Sequence, residues 1–161
     1  MIKNKKETTL SDCDEIDLKI LKALQKDGRI SNSQLAKEVN LSETPCWRRW
    51  KKLEEKGYIQ EYKALMNRKE LGYDVVAFTQ ISFLSHDVSL TDEFEKTIKN
   101  LEWVQMCHCL TGSVDYLIKM VAHDLDEFSE RNTFIRHIPG VHSVQSHISV
   151  KEIKDSSDMP I

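Results

Sequence analysis

The stretch SETPCWRRWKKLEEKGYI, residues 42–59, decides how the first half of this chain folds. Its first residues favour the start of a helix, because Ser42 or Thr44 can serve as N-cap and Pro45 is tolerated in a first turn. Its last residues favour the end of that helix, because Gly57 suits the position after the last helical residue. The pattern therefore predicts a helix of about three turns.

This predicted helix is amphipathic, since a rotation of about 100° per residue separates an apolar side from a cationic side. Cys46, Trp50 and Leu53 fall on the apolar side, so Trp50 is predicted to be a core residue. Arg48 and Lys52 fall on the outward side. The helix alone leaves open whether that side is a solvated surface or a surface that binds DNA.

Composition limits the class of protein. The chain has 161 residues, which suits one ordinary domain or two small ones. We expect no membrane partner, because no run of about 18 apolar residues occurs and the N-terminus lacks the apolar core of a signal peptide. We expect a cytoplasmic location, in which the four cysteines are reduced thiols.

The net charge of −3 hides an asymmetry between the two halves. Residues 1–69 carry 16 Lys and Arg against 11 Asp and Glu, whereas residues 70–161 carry 7 against 15. A basic half joined to an acidic half indicates that only the first half meets a polyanion such as double-stranded DNA. Chance scatter of charge is the alternative, which the counts alone leave open.

The basic half is predicted to contain three helices. Asp14 can cap the first, in which leucines recur at helical spacing up to Gly28. Ser31 opens the second, with Gln34 in the capping-box position. A short helix, a short turn and a helix with an outward cationic side form the helix-turn-helix pattern, in which the last helix enters the major groove. Residues 58–66 are then predicted to form a small wing or linking strand.

The acidic half predicts an α+β domain with a ferredoxin-like βαββαβ order. The expected elements are strand 75–84, helix 90–101, strands 103–110 and 115–122, helix 125–135 and strand 141–153. Two helices can cover only one face of such a sheet. Strands that are apolar on both faces, such as the first, therefore predict a second copy of the chain on the other face.

Motifs that carry chemistry are sparse. No Walker loop, GxSxG elbow, zinc-ligand pair or Gly-rich dinucleotide motif occurs, so we expect no enzyme, no catalytic residues and no cofactor. Cys107, His108 and Cys109 invite a metal site, but neighbouring strand residues face opposite ways, so no metal site is predicted. A thiol sensor remains an alternative, because Cys46 lies near a helix N-terminus that would lower its pKa.

Three motifs together resemble the Lrp/AsnC (feast/famine) family of transcriptional regulators: DLKILKALQKDGRIS at 17–31, LAKEVNLSETPCWRRWKKLEEKGYI at 35–59 and TGSVDYLIKM at 111–120. The resemblance implies an N-terminal winged helix-turn-helix domain joined to a C-terminal βαββαβ ferredoxin-like effector domain, the RAM domain. It also implies homodimers built through that domain, assembly to octamers, an amino acid bound between dimers, and palindromic promoter sites in DNA.

These implications divide the chain into five predicted segments. They are a flexible N-terminal tail (1–12), a winged helix-turn-helix DNA-binding domain (13–66), a linker (67–74), a ferredoxin-like domain for effector binding and oligomerisation (75–154) and a C-terminal tail (155–161). The linker is placed at NRKELGYD, where the basic half gives way to the acidic half.

The resemblance also assigns site residues by position. The residues predicted to contact DNA are Ser42, Thr44, Trp47, Arg48, Arg49, Lys51 and Lys52. The residues predicted to bind the effector are Thr111, Gly112, Ser113, Val114, Asp115, Tyr116 and Ser146. Two assignments stay open, because Arg49 can instead serve structure and Tyr116 can instead be a core residue. A turn containing Gly112 can present backbone N–H groups to a carboxylate, and Asp115 can meet an ammonium.

The predicted function is sequence-specific regulation of transcription, with assembly and DNA binding modulated by a small amino acid. Val144 stands where some family members have a threonine, which leaves the identity of the amino acid open. The alternatives are a cysteine-based redox regulator, an effector-independent regulator, and a ligand-binding module that docks on an enzyme.

Overall fold

The computed structural model describes residues 12–85 and 87–161, which form two compact units. The first unit runs to Leu65 and includes Ser156–Ile161, and the second unit is Met66–Asp155. Each unit has its own hydrophobic core. The predicted N-terminal tail lies outside the described residues apart from Asp12.

Within the described ranges the chain forms five α-helices and four β-strands. In chain order they are α1 (Glu15–Lys26), α2 (Asn32–Glu38), α3 (Glu43–Glu55), β1 (Val75–Phe83), α4 (Val88–Lys99), β2 (Val104–Cys109), β3 (Tyr116–Ala122), α5 (Leu125–Arg136) and β4 (Val141–Ile148). The predicted α+β class and βαββαβ order are confirmed. None of the described helices is long and apolar enough to cross a membrane.

The first two helices each begin at a capping box. The box at α2 was predicted from the sequence, and at α1 only the cap residue was. At α1 the carboxylate of Asp14 accepts the backbone N–H of Asp17 at 2.9 Å, and the carboxylate of Asp17 accepts the backbone N–H of Asp14 at 3.4 Å. Ser31 and Gln34 make the same exchange at α2. Each exchange satisfies backbone donors that the start of a helix leaves unpaired.

The turn between α2 and α3 is fixed by hydrogen bonds at both ends. Asn40 has a φ of 57°, and this left-handed conformation lets the Leu41 N–H donate to the Ala36 carbonyl at 2.8 Å. The side-chain amide of Asn32 donates to the Glu43 carbonyl at 3.0 Å. These bonds hold the two helices of the helix-turn-helix pair at a fixed angle.

Apolar side chains from all three helices fill the core of the first unit. The buried members are Ile20, Leu21, Ala23, Leu24, Leu35, Ala36, Val39, Cys46 and Leu53. Full burial of one large aliphatic side chain contributes about 1.5–3 kcal/mol. The two members on α3, Cys46 and Leu53, therefore anchor that helix by its inner side.

The chain leaves α3 through Gly57, as predicted. Gly57 has a φ of 77°, and the Tyr58 N–H donates to the Leu53 carbonyl at 3.0 Å, which closes the last turn. The prediction of a wing strand over 58–66 is wrong, because no residue of this segment is in a strand. The described sheet contains no strand that pairs with it, and an unpaired strand has no ladder to satisfy its backbone groups.

The second unit is an antiparallel sheet in the order β2-β3-β1-β4, with α4 and α5 packed against it through one common core. Alternate residues of β1 face that core, and Ala77, Thr79 and Ile81 are fully buried. The other face of the sheet, here called the open face, carries Phe78, which is 37% exposed. By the strand register it also carries Leu117 and Lys119.

β4 is shorter than the sequence predicts. It ends at Ile148 instead of residue 153, and the Ser149 N–H makes one further bond to the Val76 carbonyl at 2.8 Å. Its partner strand β1 begins at Val75, so residues beyond Ser149 have no ladder to join. The length of β4 is therefore set by its neighbour.

The C-terminal residues belong to the first unit. The side-chain amide of Gln25 on α1 donates to the Met159 carbonyl at 3.2 Å and accepts the Met159 N–H at 2.6 Å. Ile161 packs against the core of the first unit. The first unit is therefore discontinuous in sequence, because its packing uses both ends of the described chain.

We predict that removing residues 156–161 lowers the melting temperature of the first unit. The deletion removes two hydrogen bonds and the packing of Ile161, losses that typically amount to about 1–2 kcal/mol. Gln25→Ala should reproduce part of the effect, whereas Gln60→Ala, at an exposed position of the same unit, should not. Thermal unfolding followed by circular dichroism measures the change, and an unaltered transition in the shortened protein would contradict the packing.

Candidate DNA and ligand sites

Within the part of the chain that the structure describes, the outer side of α3 is exposed along its length. Thr44, Arg48, Lys51 and Lys52 are exposed, and Trp47 is 52% exposed despite its size. We call these five residues the reading face. An exposed tryptophan among cationic side chains is unusual on a solvated surface and is typical of a surface that meets another molecule.

The members of the reading face are not equivalent. The ammonium of Lys51 is 2.6 Å from the Glu54 carboxylate, one turn along the helix. This hydrogen bond is the main cause that lowers the pKa of Glu54 below its usual value. Within the described ranges neither Arg48 nor Lys52 forms an ion pair, so these two present their full positive charge.

Ser42 occupies the N-cap position of α3, and Thr44 lies inside the helix. The Ser42 side chain makes no capping hydrogen bond. Its hydroxyl is exposed beside the reading face and is not engaged in capping the helix. The structure therefore places Ser42 and Thr44 at the N-terminal end of the outer surface of α3.

Arg49 has the structural role that the sequence left open. Its Nη1 donates to Asp14 at 2.6 Å and to Asp17 at 2.8 Å, so α3 is bound to the cap of α1. Asp17 is buried, with 6% of its surface exposed. The Asp17 N–H, followed by the Arg49 guanidinium, holds the pKa of Asp14 below its usual value. Arg49 thus differs from the other predicted DNA contacts, because its guanidinium is turned into the unit.

Trp50 is half-buried at the edge of the core, whereas the sequence predicted a core residue. Its indole Nε1–H donates to the Tyr62 hydroxyl at 2.6 Å, and that hydroxyl donates to Glu54 at 3.1 Å. This role of Tyr62 was not predicted from the sequence. No spacing rule could have revealed it, since Tyr62 lies in a segment without regular structure.

Cys46, the cysteine on which the helix N-terminus was expected to act, does not support the thiol-sensor alternative. Cys46 is fully buried, and burial raises the pKa of its thiol. The prediction that the helix N-terminus lowers this pKa is therefore wrong, because desolvation of the thiolate dominates. Cys107 and Cys109 are exposed thiols on β2, and partial desolvation is the main cause that raises the pKa of Cys107. Among the described residues no group of three or more His, Cys, Asp or Glu side chains could hold a metal ion.

The predicted effector residues begin in the loop between β2 and β3. Thr111, Gly112 and Ser113 are exposed, and Val114 is half-buried. Gly112 has a φ of 126°, and no atom lies within 4 Å of the position that a Cβ would occupy. The loop is thus an open turn whose backbone conformation favours glycine.

The next two predicted effector residues are part of the fold. The Asp115 carboxylate accepts the Phe83 N–H at 2.7 Å and so ties the loop to the end of β1. Tyr116 is 4% exposed, and its hydroxyl donates to Glu95 at 3.1 Å. Burial, followed by the bond to Glu95, raises the pKa of Tyr116 above its usual range. Tyr116 is therefore a core residue, which is the alternative that the sequence left open.

Ser146 lies on β4, on the side of the sheet that the helices cover. Its Oγ is 2.8 Å from the Thr79 Oγ1 and donates to the Asn132 Oδ1 at 2.9 Å. This short polar chain connects β1 and β4 to α5. Ser146 therefore forms hydrogen bonds inside the second unit. It makes none of these bonds with the exposed loop at 111–113.

A cavity of about 240 Å³ lies elsewhere in the second unit. It is lined by Met66, Arg68, Leu71, Tyr73, Glu102, Trp103, Gln105, Val121 and Arg131. None of the predicted effector residues lines it.

The geometry defines a helix-turn-helix DNA-binding protein that carries a second, ferredoxin-like unit. Residues 14–60 match the family model of the winged helix-turn-helix DNA-binding domain, and residues 76–159 match that of the Lrp/AsnC ligand binding domain. The chain therefore belongs to the Lrp/AsnC family, as its motifs predicted, and is a DNA-binding transcriptional regulator with a ligand-binding domain.

Known relatives share nearly the whole length. The leucine-responsive regulatory proteins of Escherichia coli K12 and Klebsiella pneumoniae are both 38% identical over 152 residues, which cover 93% of this chain and 92% of each relative. A transcriptional regulator of Neisseria meningitidis, solved as its L-Met complex, is similar in structure with a TM-score of 0.88, 33% identity and coverage of 92% and 96% of the two chains. An AsnC family regulator from Agrobacterium tumefaciens has a TM-score of 0.87, 31% identity and coverage of 92% and 97%.

We predict that Arg49→Met lowers the melting temperature of the first unit by on the order of 5 °C. The variant keeps most of the aliphatic stem and leaves the buried Asp17 carboxylate without its cation. The pKa of Asp14 is lowered in the folded state, so its contribution is present at neutral pH and is lost as the pH falls through that lowered pKa. The difference between wild type and variant should therefore be largest near pH 7 and shrink as the pH falls through the lowered pKa of Asp14.

Melting curves recorded from pH 7 to pH 3 test this expectation. Arg48→Met is the matched control, because Arg48 is the neighbouring arginine and is exposed. Equal melting temperatures for the two variants at pH 7 would show that the bonds of Arg49 do not stabilise the unit.

Proposed function

We propose that this regulator binds specific promoter DNA through α3 and that a small amino acid modulates its assembly and its DNA affinity. The observation that carries the DNA part is the reading face, where Arg48 and Lys52 are exposed and unpaired within the described chain beside an exposed Trp47. The second part is supported by the ligand-binding domain and by the L-Met complex of the related Neisseria meningitidis regulator.

The N-terminal end of the reading face is the part that would meet base edges. A helix in the major groove presents its first residues to the bases, which here are Ser42, Thr44 and Trp47. Hydroxyls can bond base edges, and an apolar ring can contact a thymine methyl. Arg48 and Lys52 would meet phosphates and set the register of the helix on the duplex.

Assembly is the next element of the proposal. A single helix-turn-helix reads only a half-site, so a palindromic site needs two copies spaced by about one turn of DNA. The open face of the sheet offers a surface for the second copy, because Phe78 is partly exposed there beside Leu117. Dimers formed in this way could pair further into the octamer that the family resemblance implies.

The exposed loop 111–114 would bind the amino acid where two dimers meet. Its backbone N–H groups around Gly112 can bond a carboxylate. The Asp115 carboxylate, which accepts the Phe83 N–H at the end of this loop, is the group that would meet the ammonium. A ligand at such an interface favours one assembly over another, since it shifts an equilibrium only by its differential affinity for the two states.

We predict that Arg48→Ala and Lys52→Ala each weaken binding to operator DNA without changing the melting temperature. Loss of a phosphate contact should reduce affinity for all sequences and flatten the salt dependence by about one unit of slope. Loss of a base contact should cost about 1–3 kcal/mol and relax specificity at one position. Mobility-shift titrations on the protein's own upstream region, at several salt concentrations, distinguish the two.

Lys19→Ala is the control for this experiment, since Lys19 is an exposed cation of α1 in the same unit and pairs with Glu15. It should bind DNA like the wild type. Unchanged affinity in both α3 variants would show that the side of α3 proposed to enter the groove is the wrong one. Binding that is insensitive to salt and to sequence would instead favour a protein-docking module.

We predict that Gly112→Asp abolishes the response to the amino acid while basal DNA binding stays near the wild-type value. The new carboxylate would repel the carboxylate of the ligand. Gly112→Ala is the matched control, because both variants strain a backbone with a φ of 126° and only one adds charge. The readouts are operator affinity and particle mass by light scattering, each with and without the amino acid that most raises the melting temperature.

Two outcomes of this experiment would count against the proposal. A Gly112→Asp variant that responds like the wild type would place the ligand elsewhere. A wild type that responds to none of the twenty amino acids would favour the effector-independent alternative.

A further inference from the structure

The segment that leaves α3 is fastened back onto that helix by one side chain, Tyr62. Its hydroxyl accepts the Trp50 Nε1–H at 2.6 Å and donates to the Glu54 Oε1 at 3.1 Å. Both hydrogen-bonding capacities of the phenol are therefore used on two residues of α3 that lie one turn apart. A bond of this kind fixes a direction as well as a distance.

The ring of Tyr62 makes contacts of its own. It meets the Trp50 ring edge-on, with centroids 6.4 Å apart and an interplanar angle of 66°. It also lies over the end of α1, because a Cβ built on Gly28 would be 3.3 Å from the Tyr62 Cδ1. Any larger residue at position 28 would therefore press on this ring. Tyr62 thus touches both the recognition helix and the region just after α1.

The network continues to the reading face. The second oxygen of Glu54 binds Lys51 at 2.6 Å, so a chain of hydrogen bonds runs from Trp50 through Tyr62 and Glu54 to a residue of that face. Trp50 is half-buried at the edge of the core, and its indole N–H donates to the Tyr62 hydroxyl. Because the edge-on contact of the two rings accompanies this bond, the contact between the two side chains is both polar and apolar.

We infer that Tyr62 is a positioning residue that transmits displacement of the segment after α3 to the recognition helix. A shift of residues 58–62 pulls on Trp50 and Glu54, because the three side chains share one set of hydrogen bonds. The segment continues into the second unit at Met66, so it is the covalent route from the ligand-binding domain to α3. That Tyr62 transmits displacement rests on the proposed amino-acid response, whereas its hold on the segment after α3 does not.

Tyr62→Phe in the full-length protein tests the inference, since it keeps the ring and removes only the hydroxyl. Tyr58→Phe is the matched control: Tyr58 lies in the same segment, and its hydroxyl pairs with Cys13. Trp50→Phe removes the donor from the other side of the bond. The readouts are amide hydrogen exchange of residues 53–62, and the ratio of operator affinities with and without the amino acid that most raises the melting temperature.

We expect Tyr62→Phe to speed exchange in residues 53–62 and to leave basal operator affinity within about twofold of the wild type. It should reduce the affinity ratio by about fivefold, the factor that corresponds to the net free energy of one hydrogen bond. Trp50→Phe should reduce the ratio similarly, and the double variant should lose no more than either single one, because the same bond is removed. Tyr58→Phe should keep the wild-type ratio.

Three results would overturn the inference. Exchange in Tyr62→Phe that equals the wild type would show that the hydroxyl fastens nothing. Faster exchange with an unchanged affinity ratio would refute the transmission role and leave Tyr62 as a structural residue. A wild type that responds to no amino acid would refute the proposed response and with it the transmission, while the exchange data alone would still decide whether Tyr62 holds the segment.

Discussion

The bond between Arg49 and the start of α1 determines how α3, the proposed recognition helix, is held. A helix that reads DNA must leave one side bare, so it has to be held entirely by the other side. The core holds α3 through Cys46 and Leu53, but apolar contacts are not directional. Arg49 adds direction, because one guanidinium nitrogen binds two carboxylates at the α1 cap. Arg48, the next residue around the helix, can then point outward with its charge unpaired in the described chain.

Local signals in the sequence predicted the helices well, and contacts between distant segments explain the failures. Asp14, Ser31 and Gly57 act within a few residues of themselves, so caps and ends could be read directly. The wing strand over 58–66 and the length of β4 depend instead on which neighbour is available to pair. Tyr62 was missed for the same reason: its partners lie on α3, and sequence spacing does not show that the segment turns back.

The candidate ligand site shows the same division. The open turn around Gly112 could be predicted from a short motif, whereas the positions of Asp115, Tyr116 and Ser146 depend on β1, α4 and α5. These bonds leave the exposed turn as the part of the motif that is free to meet a ligand. Ligand sites usually bury most of the ligand surface, and an exposed turn cannot do so by itself. A second surface is therefore required, which is why the proposed site lies between copies.

The chain passes between the two units twice, at Met66 and at Asp155, and both passages lead to the same region of the first unit. One exit leads from Met66 back to Tyr62, whose ring lies over Gly28, and the other leads from Asp155 to the tail held by Gln25. Gln25 and Gly28 are only three positions apart, at the C-terminal end of α1. Both covalent connections therefore act on the same small region of the DNA-binding unit, and Tyr62 extends that region to α3 through Trp50. A displacement of either connection would reach the residues at the end of α1, and in its proposed role the hydroxyl of Tyr62 would carry it to α3.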